Sequence, residues 1–150
     1  VIISLSAHKP ASDLNHIVKN MVRLMTGDTS VYGKKRDRHC HSISADYIMA
    51  HANRSNMYVA FVGANRTTVM HSLIVENGVI VNDMVSNKEI IQNEDGEYVY
   101  RMHKPSGKSD DFTIVAIFKC SDFIALKDNF ARFSSLFPHI KRYSPQEIFG

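Results

Sequence analysis

A chain of 150 residues, 44% hydrophobic and 22% charged, suits one domain over residues 1–150 with a single core. No apolar run approaches the roughly 18 residues a membrane helix needs, so a membrane partner is not expected. A formal net charge of +3 is too small to make nucleic acid an expected partner.

Two cysteines, Cys40 and Cys120, are too few for a disulfide scaffold. They fit a reducing compartment, with the cytoplasm as the expected location. The start, Val1-Ile2-Ile3-Ser4-Leu5, is too short and wrongly flanked for a signal peptide, and its lack of Met suits a processed product or an excised domain. A final Gly150 is compatible with self-release from a longer chain.

In chain order, Ser12 to Met25 reads as an amphipathic helix, with Leu14, Ile17, Val18, Met21, Val22 and Met25 at three- and four-residue steps. Ser12 serves as its N-cap, and Thr26-Gly27-Asp28 stops it. A polar loop follows to His39 and carries the basic cluster Lys34-Lys35-Arg36-Asp37-Arg38. A second helix is expected from near Cys40 to near Asn53, with Ile43, Tyr47, Ile48 and, at the margin, His51 facing inward. A cysteine in the first turn of a helix lies beside unpaired N–H groups and the positive end of the dipole, and both favour the thiolate.

Strands are expected at Tyr58 to Val62, Val69 to Val75, Val79 to Met84, Tyr98 to Met102 and Phe112 to Lys119, with a turn over Lys104 to Asp110. A last helix spans about Asp122 to Leu136, with Ile124, Leu126, Phe130 and Phe133 apolar, and Pro138 ends it. Cys120 is expected in the core. The fold class is α+β: N-terminal helices packed on a mainly antiparallel sheet of about five strands, with a C-terminal helix.

Cys40 is followed 31 residues later by His71 and 12 residues after that by Asp83. A thiol needs a nearby imidazole to become a nucleophile, and the imidazole needs a third group to fix its tautomer. Whether His71 and Asp83 meet depends on the turn between them. A two-residue turn at Asn77-Gly78 pairs Glu76 with Val79 and sets His71 opposite Met84. A three-residue loop over Glu76-Asn77-Gly78 pairs Val75 with Val79 and sets His71 opposite Asp83. Opposed residues have Cβ atoms about 4.5–5.5 Å apart, within reach of an imidazole–carboxylate bond. The second register is preferred.

Cys40 opening a helix, His71 in Met-His-Ser-Leu-Ile-Val and Asp83 in Gly-Val-Ile-Val-Asn-Asp resemble the transglutaminase-like branch of the papain-like cysteine-nucleophile superfamily, over roughly residues 32 to 85. The chain departs from that pattern around the nucleophile, where Arg38, His39, His41 and Ser42 stand, and in having no Trp beside the histidine. The resemblance implies a cysteine-dependent acyl hydrolase or acyltransferase acting on an amide bond of a protein or peptide substrate. Cys40 would attack, His71 would carry the proton and Asp83 would orient it. No cofactor is implied. The oxyanion would meet the Cys40 N–H and an upstream donor, for which Tyr32 is the candidate. Lys35 and Arg38 would supply a positive field for the thiolate or for substrate.

Other readings stay open. His103 is the alternative base, and His41 is poorly placed beside the nucleophile. His39, Cys40 and His41 could be metal ligands, but zinc ligands are usually spaced by two to four residues, so no metal is expected. The alternative function is a non-catalytic interaction module that binds an acidic protein or nucleic acid through the basic loop 34–38.

Overall fold

The computed structural model describes residues 9–10, 14–28, 30, 40–52, 54, 56–83 and 85–150; at 9, 10 and 40 it describes the backbone alone. The expected N-cap Ser12 lies outside this set. The first strand, β1 (Lys9–Pro10), pairs with the short β3 (Thr68–Val69). Helix α1 (Leu14–Met25) buries all six residues that the periodicity marked, together with Leu24. Helix α2 (Cys40–Ala50) begins at the expected residue and buries Ala45 and Ile48. Ser42 and Ser44 are buried as well.

Six antiparallel strands form the main sheet: β2 (Met57–Gly63), β4 (His71–Glu76), β5 (Val79–Asn82), β6 (Lys88–Gln92), β7 (Tyr98–His103) and β8 (Ser109–Lys119). Their order is β5-β4-β2-β8-β7-β6. The strand of this sheet that the sequence reading lacks is β6, whose Lys, Glu and Gln mask a short apolar pair, Ile90-Ile91.

The sheet has two apolar faces. Val59, Phe61, Ile74, Ala116 and Phe118 lie under α1, α2 and the C-terminal helices. Ala60, Val62, Leu73, Val75, Tyr100, Ile114 and Ile117 fill the other face. The second face is concave. Tyr100 of β7 donates a hydrogen bond to Asp83, just beyond β5, although three strands separate β5 from β7 in the sheet. The edge strands β5 and β6 line one cleft of about 360 Å³ together with Phe149. Curling lets a sheet bury both faces in a chain of this size, one under helices and one within itself.

The expected last helix is broken into α3 (Cys120–Asp128), a 3₁₀ turn (Phe130–Arg132), α4 (Phe133–Leu136) and a second 3₁₀ turn (Phe137–His139). The breaks let Phe123, Leu126, Phe133 and Phe137 all reach the core under the sheet. Pro138 lies inside the second 3₁₀ turn instead of ending a long helix. A further short helix, α5 (Pro145–Phe149), is closed by a Ser144–Glu147 capping box and packs Ile148 and Phe149 against the concave face. Among the described residues, no helix is long and apolar enough to cross a membrane.

The β4–β5 turn corrects the sequence reading. Glu76 pairs with Val79, so the loop is the two-residue Asn77-Gly78. Asn77 has φ 53° and Gly78 φ 77°, the positive pair that a type I′ turn needs and that Asn-Gly adopts at low cost. The expected pairing of Val75 with Val79 is not formed; Val75 pairs with Ile80.

Candidate active site

The corrected register alone would defeat the expected site. With Glu76 opposite Val79, unbroken pairing would set Asp83 across from Ser72, on the face away from His71. A bulge restores the relation. Val75 pairs with Ile80 but Ile74 pairs with Asn82, so Val81 is an extra residue in β5. One step further in the shifted register, Asp83 falls across from Leu73. It is then the diagonal neighbour of His71 on the concave face, about 7–8 Å away between backbones and within reach of an imidazole.

His71 Nε2 donates to Asp83 Oδ1 at 2.6 Å. The Tyr100 hydroxyl donates to Oδ2, and the Val85 N–H donates to Oδ1 at 3.1 Å. The Asp83 side chain is 0% exposed and that of His71 12%. Burial pushes the Asp83 carboxyl up, but the His71 hydrogen bond, then the Tyr100 and Val85 bonds, outweigh it and hold its pKa below the usual carboxylate value. An ionised carboxylate only accepts, so the His71 proton sits on Nε2 and Nδ1 is the basic nitrogen. The His71 and Tyr100 rings lie 5.7 Å apart.

Cys40 reaches this region through the direction of α2. His41 Nδ1 lies 3.0 Å from Ser72 Oγ, and Ser44 Oγ is 3.0 Å from the same hydroxyl. Beyond the other end of α2, Arg54 pairs with Glu76 at 2.6 Å. So α2 runs alongside β4 from start to end, and Cys40 stands at the end where His71 begins the strand. The faces differ, however. Ser72 and the Phe61 ring, which lies 5.9 Å from that of His41, belong to the helix-covered face, whereas His71 points to the concave one. The Cys40 side chain, Tyr32, Lys35, Arg38 and the rest of the basic loop 34–38 lie outside the described residues.

His103, the alternative base, bonds Glu89 on the exposed β6–β7 surface, with side chains 42% and 47% exposed. Cys120 is a free thiol with 2% exposure, and burial pushes its pKa far up, so it is inert packing as expected. Among the described residues, no group of three or more His, Cys, Asp or Glu is placed to hold a metal ion.

Three parts of the site escaped the sequence reading: Tyr100, the Val85 N–H, and the Ser44–Ser72–His41 chain that seats the start of α2. Alternation of Tyr98, Tyr100 and Met102 in β7 was a usable signal for an inward face, but which strand it would meet depends on the curl. A cavity of about 210 Å³ adjoins the His71–Asp83 pair, lined by Val62, Met70, His71, Val85, Tyr100, Met102 and Phe112. No family model, no curated protein and no solved structure matches the chain.

Proposed function

We propose that the chain is a cysteine-dependent acyl hydrolase or acyltransferase that acts on an amide bond of a protein or peptide, with Cys40, His71 and Asp83 as its triad. The observation that carries the reading is the buried His71–Asp83 bond, made through Nε2 so that Nδ1 is basic. The helix that begins at Cys40 at the same end of β4 adds to it. Because His71 lies on the concave face, the thiol must meet Nδ1 around the start of β4, beside Met70.

In this mechanism Nδ1 takes the Cys40 thiol proton and the thiolate adds to the amide carbon. The oxyanion is held by the Cys40 N–H and an upstream donor, with Tyr32 as candidate, while Lys35 and Arg38 favour the thiolate or the substrate. The C–N bond then breaks, the amine leaves with the proton from the imidazolium, and a thioester remains. Water or a second amine attacks it, which gives hydrolysis or transfer. Asp83 stays ionised throughout and steadies the imidazolium. A working thiolate suits a reducing compartment such as the cytoplasm.

Alkylation by iodoacetamide, followed by mass spectrometry of the two cysteine peptides, tests the reading. Cys40 reacts with a midpoint well below pH 8, the native Cys120 stays unmodified, and His71→Ala slows Cys40 by about tenfold or more at pH 6.5. Equally slow labelling of both thiols, or a Cys40 rate indifferent to His71, removes the proposal.

A further inference from the structure

The cavity beside the candidate dyad has a composition the triad does not require. Among the described residues, five of the seven that line it are apolar: Val62, Met70, Val85, Met102 and Phe112. The other two are His71 and Tyr100, and each commits one polar atom to Asp83, inside the protein. Among the described residues no carboxylate, amide or cationic side chain lines the space, so it offers little to a charged guest and would strip water from one at a cost.

Its size narrows the guest further. At about 210 Å³ it falls below the roughly 300–1,000 Å³ of pockets that enclose whole small ligands. An apolar cavity of about 150 Å³ already holds a benzene-sized molecule. The space therefore suits one branched aliphatic or aromatic side chain. Met70 and Met102 on its wall are flexible enough to close around guests of different shape. The imidazole of His71 forms part of the wall, so whatever enters lies against the catalytic base of the proposed reaction.

We infer that this cavity is the specificity pocket of the site and receives an apolar side chain, of leucine to phenylalanine size, next to the amide bond that is attacked. The inference rests on the acyl-transfer reading for its role but not for the binding itself, so the two can be tested apart. Val62, Met70, Val85, Met102 and Phe112 select the side chain; His71 and Asp83 act on the bond beside it.

Two measurements decide the matter. In the first, N-acetyl-leucinamide and N-acetyl-aspartamide are titrated against protein carrying ¹³C-methyl methionine, with the Met70 and Met102 signals assigned by single replacement with Leu. The leucine compound shifts both methyls and the aspartate compound shifts neither; Val85→Phe, which fills the space, removes the shift. Absence of shifts, or equal shifts from the two compounds, overturns the pocket. In the second, the chloromethyl ketones of N-acetyl-leucine and N-acetyl-aspartate compete for Cys40. The leucine reagent labels faster by about tenfold or more, the discrimination that apolar pockets commonly give. If the methyls shift but the two reagents label Cys40 equally, the pocket binds without serving the reaction and the inference falls. If neither reagent labels Cys40, the acyl-transfer reading falls, and with it the pocket's role in catalysis.

Discussion

Replacing Asp83 with alanine lowers the stability of the protein by about 3–5 kcal/mol, because three donors lose their acceptor in a place water does not reach. The His71 Nε2–H, the Tyr100 hydroxyl and the Val85 N–H all converge on this fully buried carboxylate. At this chain length such a loss corresponds to a melting temperature lower by roughly 10 °C. Asp83→Asn loses less, since one carbonyl oxygen remains to accept, but its NH₂ faces one of the former donors. The wild-type advantage over Asn also carries a pH signature. The folded pKa is depressed, so the charge contributes its full stability above the unfolded value of about 3.9 and loses it as pH falls through the folded value. Urea denaturation of both proteins between pH 7 and pH 2 follows the difference. A gap that stays constant down to pH 2 would mean that shape, and not charge, holds the three donors together. In either variant Cys40 alkylation at pH 6.5 slows, since His71 loses the partner that fixes its tautomer.

The second large effect comes from Gly63→Ala. A Cβ at Gly63 would stand 1.8 Å from the Thr68 carbonyl oxygen and 2.7 Å from its carbon. Both atoms are backbone, so no rotamer change relieves the contact and the chain over 63–68 must open. Overpacking of a core costs about 1–3 kcal/mol, and a collision with main chain belongs at or above the top of that range. The damage also reaches the candidate site. Val62 O accepts from Met70 N–H at 2.9 Å, and Val62 pairs with His71. Gly107→Ala is the control: nothing lies within 4 Å of its added Cβ, and its φ of 89° costs only about 1 kcal/mol of backbone strain. Thermal melts separate the two, with Gly63→Ala falling several degrees further and slowing Cys40 labelling, while Gly107→Ala leaves labelling at the wild-type rate. Equal melting losses would mean that the 63–68 turn yields easily.

The sequence was most legible where one periodicity ran uninterrupted. The apolar steps of α1 predicted its buried face residue by residue, and the α+β order, the start of α2 at Cys40 and the core position of Cys120 were all readable. The C-terminal region was less so, because Phe123 and Phe133 are drawn into the core on either side of a break at Asn129 to Arg132 that no Gly or Pro announces. In the site, the meeting of His71 with Asp83 was expected for the wrong reason. Loop length was taken to set the register, but Asn77-Gly78 chose the shorter turn and the extra residue appeared inside β5 instead. A bulge of this kind has no composition of its own: Val81 looks like any strand valine. Tyr100 was hidden for a related reason, since a hydrogen bond between strands four places apart in the sheet order is a product of its curvature.

That extra valine makes the candidate dyad depend on a backbone irregularity as much as on side-chain chemistry. Deleting Val81 removes one exposed residue from an edge strand and leaves every residue of the proposed triad in the sequence. Asn82 then follows Ile80 directly and still falls across from Ile74, so Asp83 keeps its place across from Leu73, on the face of His71. A chain that kept Val81 but straightened β5 would set Asp83 across from Ser72, on the helix-covered face, and lose the pair with no letter changed. With this turn, twelve residues from His71 to Asp83 bring the two together only because a bulge takes up one of them; eleven would need no bulge.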